Sequence, residues 1–264
     1  MMPRKLDPII TLTTDFGAAD WFVGVVKGVL LGLNPRLAIV DLTHDVRAGD
    51  IRAGAFALMA SCRYFPKGSI HVAVVDPGVG GKRKAIAVQT QDYFLVGPDN
   101  GVLSWALRHE RVRQVVGVEN DDYFLKPVSR TFHGRDVFAP VAAHISRGVP
   151  IKKFGPELKD YKQLNWPEPQ LVPGAVCGEV LYLDRFGNAL TNIDDDTLRT
   201  LGSRPLRVRI GRRPMFPIGD YYQAVHQGEA VAVLGSSGFL EIGINGGSAA
   251  RRLGLKPGDM VKVL

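Results

Sequence analysis

The chain has 264 residues, of which 45% are hydrophobic and 22% charged, enough apolar material to close a core and too much for a disordered segment. A formal charge of +7 raises nucleic acid as a partner, yet the basic residues fall in short groups (Lys82-Arg83-Lys84, Lys152-Lys153, Arg212-Arg213) with no interleaved aromatics, so no nucleic acid is expected. No run of about 18 apolar residues is present to cross a membrane, no signal-like segment opens the chain, and Cys62 and Cys177 lie far apart in apolar surroundings. The expectation is a reduced, cytoplasmic protein without a membrane partner.

In chain order, residues 1–165 alternate β-rich runs with helical stretches, which predicts an α/β domain with a mainly parallel sheet. PIITLTTD reads as the first strand, and ADWFVGVVKGVLLGLN as a helix stopped by Asn34-Pro35. LAIVDLT is a second strand, RAGDIRAGAFALMASCRYF a second helix, and SIHVAVVD a third strand ending at Asp76. KAIAVQT and YFLVGPDNG continue the sheet, GVLSWALRHE is helical, and VFAPVAAHISRG forms an amphipathic helix after TFHGRD. Three prolines and a glycine over residues 166–174 break regular structure and mark a linker. Beyond it, residues 175–264 hold short alternating strands with Gly, Asp and Pro turns, which predicts a smaller all-β barrel.

DPGVGGKR, residues 76–83, follows a strand directly and combines a carboxylate, a flexible backbone and a guanidinium. A phosphate loop needs Lys followed by Ser or Thr, and a dinucleotide fingerprint needs a helix opening from the glycines; this segment has neither. It remains either a functional loop or an Asp-Pro-Gly turn in which Asp76 caps its own backbone. In TFHGRD, Gly134 lets a ligand approach the backbone beside His133, although a lone histidine is commonly structural. Asp15 of TDFG stands where a carboxylate can accept bonds from a ribose diol or serve as a helix cap. GPDNG reads as a turn. LDRFGNALTN and LGSSGFLEIGINGG place small polar residues in β turns that either bind a polar small molecule or only turn the chain. The six histidines and two cysteines show no HExxH or CxxC spacing, and GxSxG is missing, so no metal site and no serine-hydrolase elbow is expected.

Taken in order, TTDFG, DPGVG with an arginine seven positions after its aspartate, GPDNG, TFHGRD, DxFGNxxTN and SSGFLEIGINGG resemble one family along nearly the whole chain. It is the S-adenosylmethionine hydroxide adenosyltransferases, relatives of the fluorinase and chlorinase that attack the same substrate with halide. The resemblance implies hydrolysis of S-adenosylmethionine to adenosine and L-methionine without a cofactor. It also implies a homotrimer whose substrate lies between the N-terminal domain of one subunit and the C-terminal domain of its neighbour. By position, Asp15 matches the ribose-binding aspartate, and Asp184 and Asn188 match residues that hold the amino and carboxylate ends of the methionine half. Ser236, Asn245 and Gly246 fall in the adenine and methionine loops, and Asp76, Arg83 and His133 coincide with the set assigned to water activation. The halogenating relatives carry other residues at the Asp76 and His133 positions. A halogenase on the same substrate and a binding protein without turnover are the alternatives.

The chemistry fits those residue types. Attack at C5′ expels a neutral thioether from a sulfonium, so the leaving group needs no proton and only the nucleophile needs help. A carboxylate or imidazole can take the proton of water while a guanidinium stabilises developing hydroxide. Asp76 is the base by location, with His133 orienting or sharing the proton. Three close ionisable groups titrate as a unit, so the holder stays open at this level.

Overall fold

The computed structural model describes residues 7–202 and 205–264, and the chain divides into two units, Met1–Leu164 and Asn165–Leu264. The first carries β1 (Ile9–Thr14), α1 (Phe22–Leu33), β2 (Ala38–Thr43), α2 (Ile51–Cys62), β3 (Ile70–Val74), β4 (Ala85–Thr90), β5 (Phe94–Pro98), α3 (Ser104–Leu107), β6 (Val112–Gly117) and α4 (Ala139–Ser146). Its six strands lie in the order β2-β1-β3-β5-β4-β6. β1 pairs in parallel with β2 and β3, and β3 with β5, whereas β4 runs antiparallel to both its neighbours. The expected mainly parallel sheet is therefore a parallel set of four extended by β4, which reverses direction, and by β6, which returns to the direction of the set.

Every residue of β3 is buried, as a strand covered on both faces requires. One face packs on Val26 and Leu30 of α1 and on Val141, Ala142 and Ile145 of α4, the other on Leu58 of α2 and Ala106 of α3. Since the chain leaves β1 for β2 on one side and reaches β3 on the other, the order switches at the carboxyl ends of β1 and β3. Doubly wound sheets leave a crevice at such a point.

Local chemistry explains the helices. Phe22, Val25, Val26, Val29, Leu30 and Leu33 recur at helical spacing in α1, which ends where the Asn34 N–H bonds the Leu30 carbonyl and Pro35 follows. Asp50 caps α2 by accepting from the Ala53 N–H at 2.9 Å, a contact of about 1 kcal/mol. The stretch at GVLSWALRHE yields only the single turn α3. α4 is not amphipathic: Ala139, Pro140, Val141, Ala142, Ala143 and Ile145 are all buried, because it packs against α1 as well as the sheet.

The second unit contains β7 (Gln170–Val172), β8 (Ala175–Leu183), β9 (Ala189–Asp194), α5 (Asp195–Arg199), β10 (Arg207–Ile210), β11 (Phe216–Pro217), β12 (Ala230–Leu234), β13 (Phe239–Ile244), α6 (Ala249–Arg252) and β14 (Met260–Val263). The strands run antiparallel in the order β11-β10-β14-β8-β9-β13-β12, and a bridge between Ile218 and Ala232 brings the two ends together into a nearly closed barrel. Val180, Ile193, Val208, Leu240, Ile242 and Val261 fill it. The proline-rich segment expected to lack regular structure carries β7, which pairs with β8, and its Pro167 carbonyl accepts from the Asn192 side chain. Proline blocks a ladder donor only at its own position, so Gln170–Val172 remain free to pair.

Candidate functional site

Asp76, Arg83 and His133 meet beside the carboxyl end of β3. Asp76 lies two residues past that strand, where its carbonyl accepts from the Val79 N–H at 3.2 Å and the chain turns. Asn100 of the GPDNG turn braces the approach by donating its Nδ2 to the Val75 carbonyl at 2.8 Å. The glycine loop then returns Arg83 to Asp76. Gly80 has φ +73°, and a Cβ there would stand 2.1 Å from the Arg130 carbonyl oxygen, so glycine is required where the loop passes the segment before His133.

Arg83 Nε donates to both carboxylate oxygens of Asp76, at 3.0 and 2.9 Å, and its Nη2 also donates to Oδ2. The same Nη2 lies 2.8 Å from Nδ1 of His133. Arginine has no lone pair to offer, so Nδ1 is the acceptor and carries no proton. The His133 imidazole is therefore neutral. Burial, followed by the Arg83 charge, lowers its pKa, while Asp76, Asp136 and a hydrogen bond to the Ser129 backbone oppose the shift. The side chains of Arg83 and Asp76 are only 8% and 5% exposed, and the guanidinium stacks 5.3 Å from the Phe138 ring centre.

His133 precedes one π-helical turn, Gly134–Phe138, closed by a bond from the Ala139 N–H to the Gly134 carbonyl. Such turns are frequent at functional positions. Asp136, fully buried, holds the loop: it accepts from the Ser129 N–H at 2.8 Å and from Arg135 at 2.6 and 3.0 Å. A cavity of about 260 Å³ adjoins Arg83 and His133, walled by Val118, Phe124, Val128 and Val137. At about 30 Å³ per molecule it has room for several waters.

Asp15 follows β1, at the other strand of the switch. Its Oδ2 accepts from the Gly49 N–H at 2.8 Å, which ties it to the loop before α2. It caps no helix, since α1 begins at Phe22 with Trp21 at its N-cap and no side-chain cap. Phe16 packs edge-on against Phe132 at 5.8 Å, joining the Asp15 loop to the His133 loop.

The remaining predicted residues lie in the second unit. Asp184, Asn188, Ser236, Asn245 and Gly246 all line one cavity of about 930 Å³. Asn188 donates its backbone N–H to Asp184 Oδ1 at 2.8 Å and its Nδ2 to Oδ2 at 3.0 Å, closing the 184–188 turn. Asn245 spends one amide proton on the Val225 carbonyl at 2.7 Å, and Gly246 turns with φ +73°. Phe186 and Tyr221, both exposed, stand among the lining residues. Sequence reasoning missed Tyr222 and Glu241 of this cavity, whose side chains bond each other at 2.7 Å. The available signal was a glutamate inside the otherwise apolar strand FLEIGI. Among the described residues, no group of three or more His, Cys, Asp or Glu side chains is arranged to hold a metal ion.

The family resemblance of the ordered motifs agrees with the comparisons to known proteins. Residues 10–155 match the SAM hydroxide adenosyltransferase N-terminal domain, and residues 178–262 the C-terminal domain of the same family. The chain is 41% identical to an (R)-S-adenosyl-L-methionine hydrolase of Salinispora tropica, with 97% of each chain covered. It is 25% identical to a fluorinase of Actinopolyspora mzabensis, again over 97% of each. A crystal structure of an uncharacterized conserved protein from Thermotoga maritima superposes with a TM-score of 0.91 at 38% identity, covering 97% of this chain and 99% of that one. With both domain models matched in order and close relatives aligned end to end, the chain belongs to the SAM hydroxide adenosyltransferase family.

Proposed function

We propose that this enzyme hydrolyses S-adenosylmethionine to adenosine and L-methionine, with Asp76, Arg83 and His133 activating the water. The observation that carries the reading is the closed Asp76–Arg83–His133 arrangement, in which one guanidinium serves a carboxylate and an imidazole at once. Water oxygen attacks C5′, the C5′–S bond breaks, and its electron pair stays on the methionine sulfur as a neutral thioether. One water proton leaves as the bond forms. His133 has its Nδ1 lone pair engaged by Arg83, and its other nitrogen carries the ring proton, so the imidazole is a donor and an orienting group. Asp76 keeps further lone pairs on both oxygens and is the group left to accept the proton, while Arg83 stabilises the developing hydroxide.

In the same proposal Asp15 binds the ribose diol and Asp184 and Asn188 hold the methionine end. Ser236, Asn245 and Gly246 contribute to adenine and methionine contacts. The family resemblance and the shared cavity of the last five residues support these roles. The resemblance alone supports a homotrimer with the substrate between subunits, and the cysteine usage supports a cytoplasmic setting; no helix among the described residues is long and apolar enough to cross a membrane.

Chromatography of S-adenosylmethionine incubated with the enzyme should show adenosine and methionine in equal amounts, and in ¹⁸O-labelled water the label should enter the 5′-hydroxyl. Methylthioadenosine or S-adenosylhomocysteine as the only product would refute hydrolysis at C5′. Formation of 5′-halo-5′-deoxyadenosine in chloride or fluoride would identify a halogenase instead.

A further inference from the structure

The cavity of the second unit is electrostatically one-sided. Its lining includes two carboxylates, Asp184 and Glu241, and no lysine, arginine or histidine, in a chain whose formal charge is +7. Glu241 is 7% exposed and sits on β13. The Tyr222 hydroxyl donates to its Oε2 at 2.7 Å, and the Asn188 amide, which donates to Asp184, lies 3.5 Å from the same hydroxyl. A short polar chain thus joins the two carboxylates through neutral groups. Neither acid has a cationic partner within the cavity.

The backbone is shaped around this pair. A Cβ at Gly235 would fall 1.7 Å from Glu241 Oε1, and one at Gly243 would fall 2.7 Å from the Tyr222 ring. Both glycines leave the space that the two side chains fill. A buried carboxylate without a counter-charge is costly, and burial together with the nearby Asp184 raises the Glu241 pKa against the opposing bonds from Tyr222 and Ser237. A cation entering the cavity relieves that cost, whereas an uncharged ligand leaves it in place.

We infer that Glu241 is a specificity-determining residue that makes this cavity favour ligands with a positively charged methionine half. The inference rests on the proposed function, because S-adenosylmethionine supplies that charge as a sulfonium and an ammonium while adenosine supplies none. Asp184 is half-buried in its turn, with both oxygens bonded to Asn188. Glu241 adds a second, sequestered charge whose attraction is less screened by water.

The test is calorimetry on the full chain carrying Asp76→Asn, so that substrate is not consumed, with and without Glu241→Gln or Tyr222→Phe. Glu241→Gln should weaken S-adenosylmethionine by about tenfold and adenosine by less than about twofold, and Tyr222→Phe, which keeps the charge, should retain most of that difference. S-adenosylhomocysteine, which lacks the sulfonium, assigns the recognised charge: a loss shared with it points to the ammonium, and a loss confined to the substrate points to the sulfonium. Equal losses for substrate and adenosine, or an unchanged substrate affinity with an intact melting transition, would overturn the inference. If Glu241→Gln does not fold, Asp184→Asn in the Asp76→Asn protein decides, because the remaining Glu241 charge must then still favour S-adenosylmethionine over adenosine, and equal affinities would overturn the inference. An Asp76→Asn protein that binds no S-adenosylmethionine counts against the proposed function, whereas binding without discrimination at Glu241 counts against this inference alone.

Discussion

The two units carry their charges in opposite ways. In the first, Arg83 binds Asp76 through both oxygens and reaches His133 as well, so every charge in the set has its partner before a substrate arrives. In the second, Asp184 and Glu241 face a large cavity with only neutral donors between them. The first arrangement suits chemistry, since preorganised dipoles need no rearrangement as charge develops in the transition state. The second suits recognition, since its unpaired negative charge is satisfied by what binds. Sequence composition shows neither pattern, because carboxylates occur in both units and only their partners differ.

Breaking the first arrangement should have the largest effect. Asp76→Asn, Arg83→Ala and His133→Ala should each lower turnover by about 10² to 10⁴ while leaving substrate affinity nearly intact, and the triple replacement should cost little more than the worst single one. Single-turnover rates with parallel melting curves check this; a normal rate in a less stable Asp76→Asn protein would reduce Asp76 to a turn residue. Asp184→Asn should instead weaken S-adenosylmethionine by roughly tenfold to a hundredfold with turnover at saturation little changed, the span of a charged hydrogen bond. A lowered melting temperature with unchanged affinity would mean that Asp184 only staples the 184–188 turn.

The smallest effect concerns stability and belongs to the first unit alone. His71 is fully buried on β3, hydrogen-bonded through Nδ1 to Thr11 Oγ1 at 2.8 Å, and burial pushes its pKa down to about 4. The unfolded chain, near 6.5, binds a proton first as pH falls, so stability present above pH 6.5 is lost on acidification. Between pH 7 and pH 5 the loss from His71 should be about 2 kcal/mol. Burial lowers His133 and His144 in the same direction, so the comparison is with His71→Phe, in which urea unfolding should show the pH dependence reduced by that amount. An identical pH slope in the variant would place the acid sensitivity elsewhere.

Much of the fold was legible because burial writes itself into local pattern. IHVAV and AIAVQT are apolar runs of strand length, and FVGVVKGVLLGL repeats at helical spacing with a proline just beyond it. Pattern reading failed where neighbours overrule local signals. The end of LDRFGNALTN, residues 189–192, reads as turn yet belongs to β9, because Thr191 and Asn192 are buried and bonded to the Leu240 carbonyl and the Glu179 N–H. β6 and β7 were likewise assigned only by their partners β4 and β8.

The sequence by itself determined the two kinds of domain, the family, and the residue types at each position of the site, since these depend on side-chain chemistry and motif order along the chain. Only the tertiary structure decided who partners whom. Arg83 and His133 are 50 positions apart in the chain, yet the guanidinium that holds Asp76 joins them, and that contact fixes His133 as a neutral acceptor. Glu241 is one glutamate among many until β13 and the turn at Tyr222 enclose it with Asp184 and without a cation. Charge acts through distance and dielectric, and neither is written in the order of the residues.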